Sequence, residues 1–357
     1  MHPHRLPTVL ALSWGVLILY ASLYPLTGWR DSGAPLLDFL FAGWPRWFTF
    51  FDLLTNVLAY LPLGFLGVSA LAPTLGWGWA VVLATLGGVG LSLGVELAQN
   101  FLPSRIPSNV DLAMNALGVL AGALAGARWG ALLLDGSRLA FRRARHVAPG
   151  GWGDAGLLLA GLWLLTQFDP TTLLFGNGDL RRWLALPSAF AFSTGRAPWL
   201  EGAAVGAHTL AVALLLAQLL RRRRWLPILG LLLVALAGKS LATYVMMQER
   251  LAFAWATPGS LGGLAIGLML WFALRPLRAH LQRALAGVAL IAAIVLVNVA
   301  PENPYFAHTL QVWHPGQFLN FHGLTRLAAL VWPYLALTWL LCAPTEKGSC
   351  FNLRPDE

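Results

Sequence analysis

Charge is what this chain has least of. Asp, Glu, Lys and Arg together make up 11% of its 357 residues, against about a quarter in ordinary soluble domains, which excludes a water-facing globular surface over most of its length. Cysteine is as scarce. Cys342 and Cys350 are the two in the sequence, and with no metal or redox spacing between them they read as reduced bystanders rather than as a disulfide framework. There is no H-E-x-x-H, no phosphate-binding glycine loop and no Cys/His cluster, so neither a metal nor a cofactor is expected. The ten-residue alternation of an outer-membrane barrel is missing too.

What fills the chain is apolar sequence. Aliphatic, aromatic and Cys residues account for 57%, and ten runs approach the roughly 20 apolar residues needed to cross a bilayer. Lipid offers no partners to free backbone groups, so each run must be helical. The expectation is an all-α fold, a polytopic transmembrane helical bundle of about ten helices, with spans near 8–24, 52–72, 77–99, 110–132, 153–168, 200–220, 225–247, 258–275, 282–300 and 322–342. His2, His4 and Arg5 precede the first run as in a signal peptide. Ala21-Ser22-Leu23 is a poor cleavage site, however, and the run continues to Tyr24, so an uncleaved first span is expected.

Arginine supplies most of the net charge of +9, and unevenly. Arg128, Arg138, Arg142, Arg143 and Arg145 follow span four, Arg221 to Arg224 follow span six, and Arg275, Arg278 and Arg283 follow span eight. By the positive-inside rule these loops and both termini are cytoplasmic, and the loop carrying Arg105 faces outward. The basic runs read as a topology signal that also touches anionic membrane lipids, not as nucleic-acid binding. Three long outer loops, 25–51, 169–199 and 301–321, carry Trp29, Trp44, Trp47, Trp183, Trp199 and Trp313. An interfacial aromatic belt is their ordinary role, and a platform for stacking sugars the sharper one.

Repeats organise the chain. Asp52-Leu53-x-x-Asn56-x-Leu58 opens span two and Asp111-Leu112-x-x-Asn115-x-Leu117 opens span four, with Gly67 and Gly126 at the same offset. Acid and amide, four apart, share one helix face. Over a longer period, Gln99, Leu112 and Gly118 recur 149 residues later as Gln248, Leu261 and Gly267, and glycine faces run along both fourth helices, Gly118/Gly122/Gly126 and Gly259/Gly263/Gly267. Pro333 follows Gly323 as Pro62 follows Asp52. The expected layout is a first domain at 8–135, a degenerate four-helix repeat at 152–276, a helix pair at 282–343 and a tail at 344–357. Since Asp111 meets Ser260 and Asn115 meets Leu264 at that offset, the second copy is expected to have lost the charge and the amide.

The polar residues therefore concentrate in the first domain. Glu96 and Gln99 lie on one side of span three with Asn100 a turn on, and Arg105, Ser108, Asp111 and Asn115 follow. A carboxylate within a span is expensive unless paired or wet. Arg105 is the expected partner, able to hold Glu96 or Asp111 bidentately and still offer donors to a phosphate. In the plainer reading Asp52 and Asp111 merely cap their helices. Elsewhere, Lys239 reads as a structural lysine or one member of an ion pair with Glu201 or Glu249, and His208 as a hydrogen-bonded core residue. Gly90-Leu91-Ser92-Leu93-Gly94 matches the nucleophile-elbow pattern but lies mid-helix, where that turn cannot form, and an intramembrane protease pairing Ser92 with His208 is the remote alternative.

Asp52-x-x-x-Asn56 with Tyr60-Leu61-Pro62-Leu63-Gly64, then Glu96-x-x-Gln99, Pro103-x-Arg105-x-x-Ser108-x-x-Asp111 and Asn115-x-x-Gly118, resemble the VanZ-like family of polytopic membrane proteins over about residues 10–130. The resemblance implies a bacterial inner membrane protein and a link, through the family's namesake, to resistance against the glycopeptide teicoplanin. It implies no defined reaction. The expected function is an outward-facing site that binds an anionic cell-envelope or polyprenyl-phosphate-linked precursor, or a glycopeptide. Arg105 would contact the headgroup, Glu96 and Asp111 would orient Arg105 or exchange a proton, and Asp52, Asn56, Gln99, Ser108 and Asn115 would complete the site. An enzyme acting on a lipid-linked substrate, with Glu96 and Asp111 as acid and base, and a lipid or drug transporter are the alternatives.

Overall fold

The computed structural model describes residues 5–31, 33, 35–44, 50–134, 137–184, 186, 190–220, 225–246, 252–301 and 319–343. His2, His4, Trp47, Arg221 to Arg224, Gln248, Glu249, Trp313, Cys350 and the tail 344–357 lie outside the described residues. Among the described residues there are ten long helices: α1 Arg5–Leu23, α2 Phe50–Leu75, α3 Trp77–Gln99, α4 Asn109–Trp129, α5 Gly150–Thr166, α6 Ala197–Leu219, α7 Trp225–Met246, α8 Pro258–Leu274, α9 Ala279–Val299 and α10 Leu319–Leu341. Each falls on one of the ten apolar runs. Eight are long and apolar enough to cross a membrane, whereas α5 and α8 have 17 residues each, about 26 Å at the helical rise. The chain is a polytopic all-α membrane protein.

The chain divides into two compact units, Met1–Arg145 with Gln317–Leu324, and His146–Gly316 with Thr325–Glu357. In the first, glycine decides how closely helices approach. A Cβ on Gly118 or Gly122 would run into the carbonyl of Val57 or Leu61 on α2, and one on Gly64 of α2 would strike the Val119 carbonyl of α4. The two backbones therefore touch along their length, as small residues permit. Gly88 of α3 opens onto Val119 in the same way, its missing Cβ 2.6 Å from Val119 Cγ1. Gly76, at φ +78°, makes the whole turn between α2 and α3, a left-handed conformation that glycine adopts at no cost.

The second unit reuses the device, with Gly263 and Gly267 of α8 seated against the backbone of Gly202 and Gly206 on α6. It adds tryptophan. Trp152 of α5 and Trp339 of α10 stack at 4.0 Å, and each indole N–H donates to the other's carbonyl, at 3.1 and 2.8 Å. Trp332 donates to the Leu159 carbonyl at 2.8 Å. These buried indoles staple helices together, whereas Trp29, Trp44 and Trp199 are exposed, as a belt requires.

Between α5 and α6 the chain folds inward, burying Asp169, Leu174, Phe175 and Asn177, so its irregular backbone needs partners from the helices. Lys239 Nζ donates to the Asp169 carbonyl, to the Thr172 carbonyl at 2.8 Å and to Thr172 Oγ1 at 3.0 Å, three donors on three acceptors. The Asn177 N–H donates to His208 Nε2 at 3.1 Å, and His208 Nδ1 faces the Ala204 carbonyl at 2.9 Å, which assigns the proton to Nδ1. Asn298 Nδ2 donates to the Gly178 carbonyl at 2.7 Å. Lys239 and His208 are structural residues.

The glycine contact yields a sharp expectation. Gly122→Val should lower the thermal unfolding midpoint in detergent, at a cost of about 2 to 3 kcal/mol from overpacking against α2. Gly94→Ala, where a Cβ meets open space, should be neutral or slightly stabilising.

Candidate functional site

Three helices of the first unit each carry two polar side chains one turn apart, and packing turns all six inward. They are Asn56 and Tyr60 on α2, Ser92 and Glu96 on α3, and Asp111 and Asn115 on α4. Spacing of four puts each pair on one helix face, and the α2–α4 glycine contact brings the faces within bonding distance. Asn56 Nδ2 donates to Asp111 Oδ1 at 2.8 Å. One turn deeper, Asn115 Nδ2 donates to Ser92 Oγ at 2.9 Å. Tyr60 faces Ser92 and Glu96 from α2. Asn56 and Asp111 are half-buried, while Tyr60, Ser92, Glu96 and Asn115 are at most 4% exposed.

The start of α4 explains how Glu96 is tolerated. Ser108 is its N-cap, and its hydroxyl accepts from the Asp111 N–H at 3.3 Å. In a capping box the acid three residues on would bond back to the cap's own N–H. Here Glu96 Oε2, reaching across from α3, accepts from the Ser108 N–H at 2.9 Å. That frees Asp111 for Asn56. A carboxylate at a helix N-terminus is favoured by the helix dipole, so α4 offsets part of the cost of burying Glu96. Asp111 is not the cap, although Asp111 and Asp52 both add negative charge, the one acting on Glu96 and the other on Asp111.

Arg105 does not close over either acid. Its Nε and Nη2 donate to the Tyr24 carbonyl at 3.1 and 2.5 Å, and Gln99 Nε2 donates to the Ser22 carbonyl at 3.0 Å. These carbonyls end α1, where the last turn has no intrahelical donors, and a cation there is favourable. Burial lowers the Arg105 guanidinium from its ordinary value, and it stays cationic. Asn100 Nδ2 donates to the Leu36 carbonyl at 3.2 Å. Arg105, Gln99 and Asn100 thus tether the α3–α4 loop to its surroundings, and the acids bond elsewhere.

Two members of the cluster escaped the sequence reading. Ser92 had drawn notice only as part of a chance G-x-S-x-G match, and Tyr60 only as a letter of a motif. The signal was their spacing of four from Glu96 and Asn56. Ser92 Oγ accepts from Asn115 Nδ2, and both ring nitrogens of His208 face backbone groups. The second copy, which carries Ser260 and Leu264 in place of Asp111 and Asn115, keeps an acid at another position. At the 149-residue offset Ser108 aligns with Thr257, Asp111 with Ser260 and Asp52 with Glu201. Thr257 Oγ1 caps the Ser260 N–H at 3.0 Å, and both hydroxyls donate to Glu201 Oε1, at 2.6 and 2.7 Å. The acid is retained there, on α6 rather than α8, but with every bond internal.

Compared with models of protein families, residues 8–129 match the family described as VanZ/LLP1. No curated protein and no solved structure matches the chain. The matched segment contains all six inward-facing residues together with Asp52, Gln99, Arg105 and Ser108.

Glu96→Gln preserves an acceptor for the Ser108 N–H and removes a charge from an apolar surrounding. The melting midpoint of the variant should match or exceed the parent's. A loss of several degrees would show that Glu96 is there to hold the fold.

Proposed function

We propose that the VanZ-like domain carried by residues 8–129 recognises the polar headgroup of an anionic cell-envelope molecule, a polyprenyl-phosphate-linked precursor being the chemistry it fits best. The observation that carries this reading is Glu96. It is 2% exposed, its described hydrogen bond is a single backbone N–H, and it sits where three helices converge their polar faces. A group so costly in hydrocarbon is a functional site by default. Asn56, Ser108, Asp111 and Asn115 form its walls, Asp52 its rim, and Gln99 and Arg105 fix the loop above it. Arg105 is the cation at this end, placed to meet a headgroup phosphate from the loop side.

The arginine-rich segments orient the site. With Arg128 and the Arg138–His146 helix on the cytoplasmic side of a bacterial inner membrane, the α3–α4 loop faces outward, the side on which lipid-linked wall and polysaccharide precursors are consumed and glycopeptides act. Both termini are then cytoplasmic, and the family link to teicoplanin resistance and envelope biogenesis acquires a physical location.

Two measurements bear on this. Protein purified in native-lipid particles should carry a polyprenyl-linked species by mass spectrometry that is absent from Arg105→Ala and Glu96→Gln; the same bulk phospholipid in all three would overturn the reading. In a background with Cys342 and Cys350 replaced by serine, Ile106→Cys, 86% exposed, should react with an impermeant maleimide on intact spheroplasts, and Phe141→Cys, 78% exposed, only after lysis. The reverse pattern would invert the topology.

A further inference from the structure

We infer that the site takes a protonated amine, so that its ligand carries an ammonium group beside any phosphate. The inference deepens the headgroup reading above and rests on it. Its first support is the sign of the charge. Asp52, Asp111 and Glu96 form a chain in which each acid acts on the next. The described bonds of Glu96 and Asp111 go to a backbone N–H and an amide, and none of them is to a cation. The Arg105 guanidinium bonds Tyr24 instead. Ionised carboxylates at Glu96 and Asp111 would repel an anion entering between them and attract a cation, more strongly than in bulk water.

The second support is independent of charge. Asn115 Oδ1 is buried with no hydrogen-bond partner among the described residues, its residue 4% exposed, while Tyr60, 2% exposed, turns its hydroxyl toward Ser92. Both belong to the floor of the cluster, Asn115 through its bond to Ser92 and Tyr60 through its proximity to Ser92 and Glu96. Burying such an atom unpaired costs about 1 to 3 kcal/mol, and where three polar helix faces meet, that acceptor is open to an entering donor.

The inventory of acceptors then selects the chemistry. Glu96 Oε1 and Asp111 Oδ2 have no bond described, Asn115 Oδ1 is an amide oxygen, and Tyr60 Oη accepts as well as donates. An ammonium has three donors and no acceptor, and carries the compensating charge; a hydroxyl offers one donor, brings acceptor lone pairs of its own and carries no charge. A metal ion is a poorer match, since among the described residues no three His, Cys, Asp or Glu side chains come together as a metal would require. With the Arg105 loop above and the acids below, the ligand's phosphate and ammonium would lie in that order along the path inward.

The test uses the full chain in phosphatidylcholine nanodiscs, with three small probes of similar size: ethanolamine, ethylene glycol and glycolate. A second arm replaces part of the lipid with phosphatidylethanolamine or phosphatidylglycerol. Ethanolamine, phosphatidylethanolamine or both should raise the melting midpoint in a saturable way, as a ligand specific for the folded state does, and the neutral and anionic probes should not. A response to the lipid alone identifies a membrane-borne amine; a response to free ethanolamine identifies a soluble one. The half-saturating concentration should rise about tenfold or more in Asp111→Asn and in Glu96→Gln, each of which is first checked for a parent-like melt without ligand. Equal stabilisation by glycolate, phosphatidylglycerol or sodium chloride would overturn the inference, as would an amine response unchanged in both variants. If a polyprenyl-linked species depends on Glu96 while no amine preference exists, this inference fails and the headgroup reading stands. If neither is found, both fail.

Discussion

Everything at the polar end of the first unit depends on how closely α2 and α4 approach. Asn56 and Asp111 have short side chains, and they meet at 2.8 Å only because glycine leaves the two backbones in contact along Gly118, Gly122 and Gly64. With ordinary side chains between them the helices would stand 8 to 10 Å apart, and the amide and the acid would each have to find another partner in surroundings that offer few. The same contact sets the position of Asn115 and, through it, of Ser92 on α3. Packing and chemistry are here one problem, since the residues that bring the helices together are interleaved by single turns with those that make the site.

Hydropathy alone made the fold legible, because hydrocarbon permits few solutions. All ten apolar runs became helices, and the hairpin repeat was visible because glycine and acid recur at fixed offsets. The site was legible in its membership but not in its wiring. Glu96, Asp111, Asn56 and Asn115 were evident as polar residues in apolar surroundings, whereas the destination of Arg105 was not. The guanidinium goes to the frayed end of α1, and an unsatisfied carbonyl leaves no mark in a sequence. The expectation of an Arg–carboxylate pair weighed charge and ignored the backbone's own demand for donors. Tyr60 and Ser92 were overlooked for a related reason, since hydroxyls are common in membrane helices and only the three-helix geometry distinguishes these two.

The second unit shows the same scaffold with its acid bonded across the helix pair. Glu201, Thr257 and Ser260 occupy the positions of Asp52, Ser108 and Asp111, and the carboxylate takes both hydroxyls. In the second unit this acid is consumed in holding α6 to α8. The buried loop carries the same logic further, with Lys239 spending its three donors on carbonyl and hydroxyl oxygens. At the acids the two units differ in partners: Glu201 takes two hydroxyls from α8, whereas the described side-chain bond of Glu96 is one backbone N–H.

The single glycine between α2 and α3 bears on how such a site is entered. A link of one residue clamps those two helices together at that end, while the α3–α4 connection of residues 100–108 leaves nine residues of slack at the other. Any spreading of the three helices must therefore pivot about Gly76, as the arms of tweezers pivot about their joint, so a small rotation at the clamped end becomes the largest displacement at the level of Glu96.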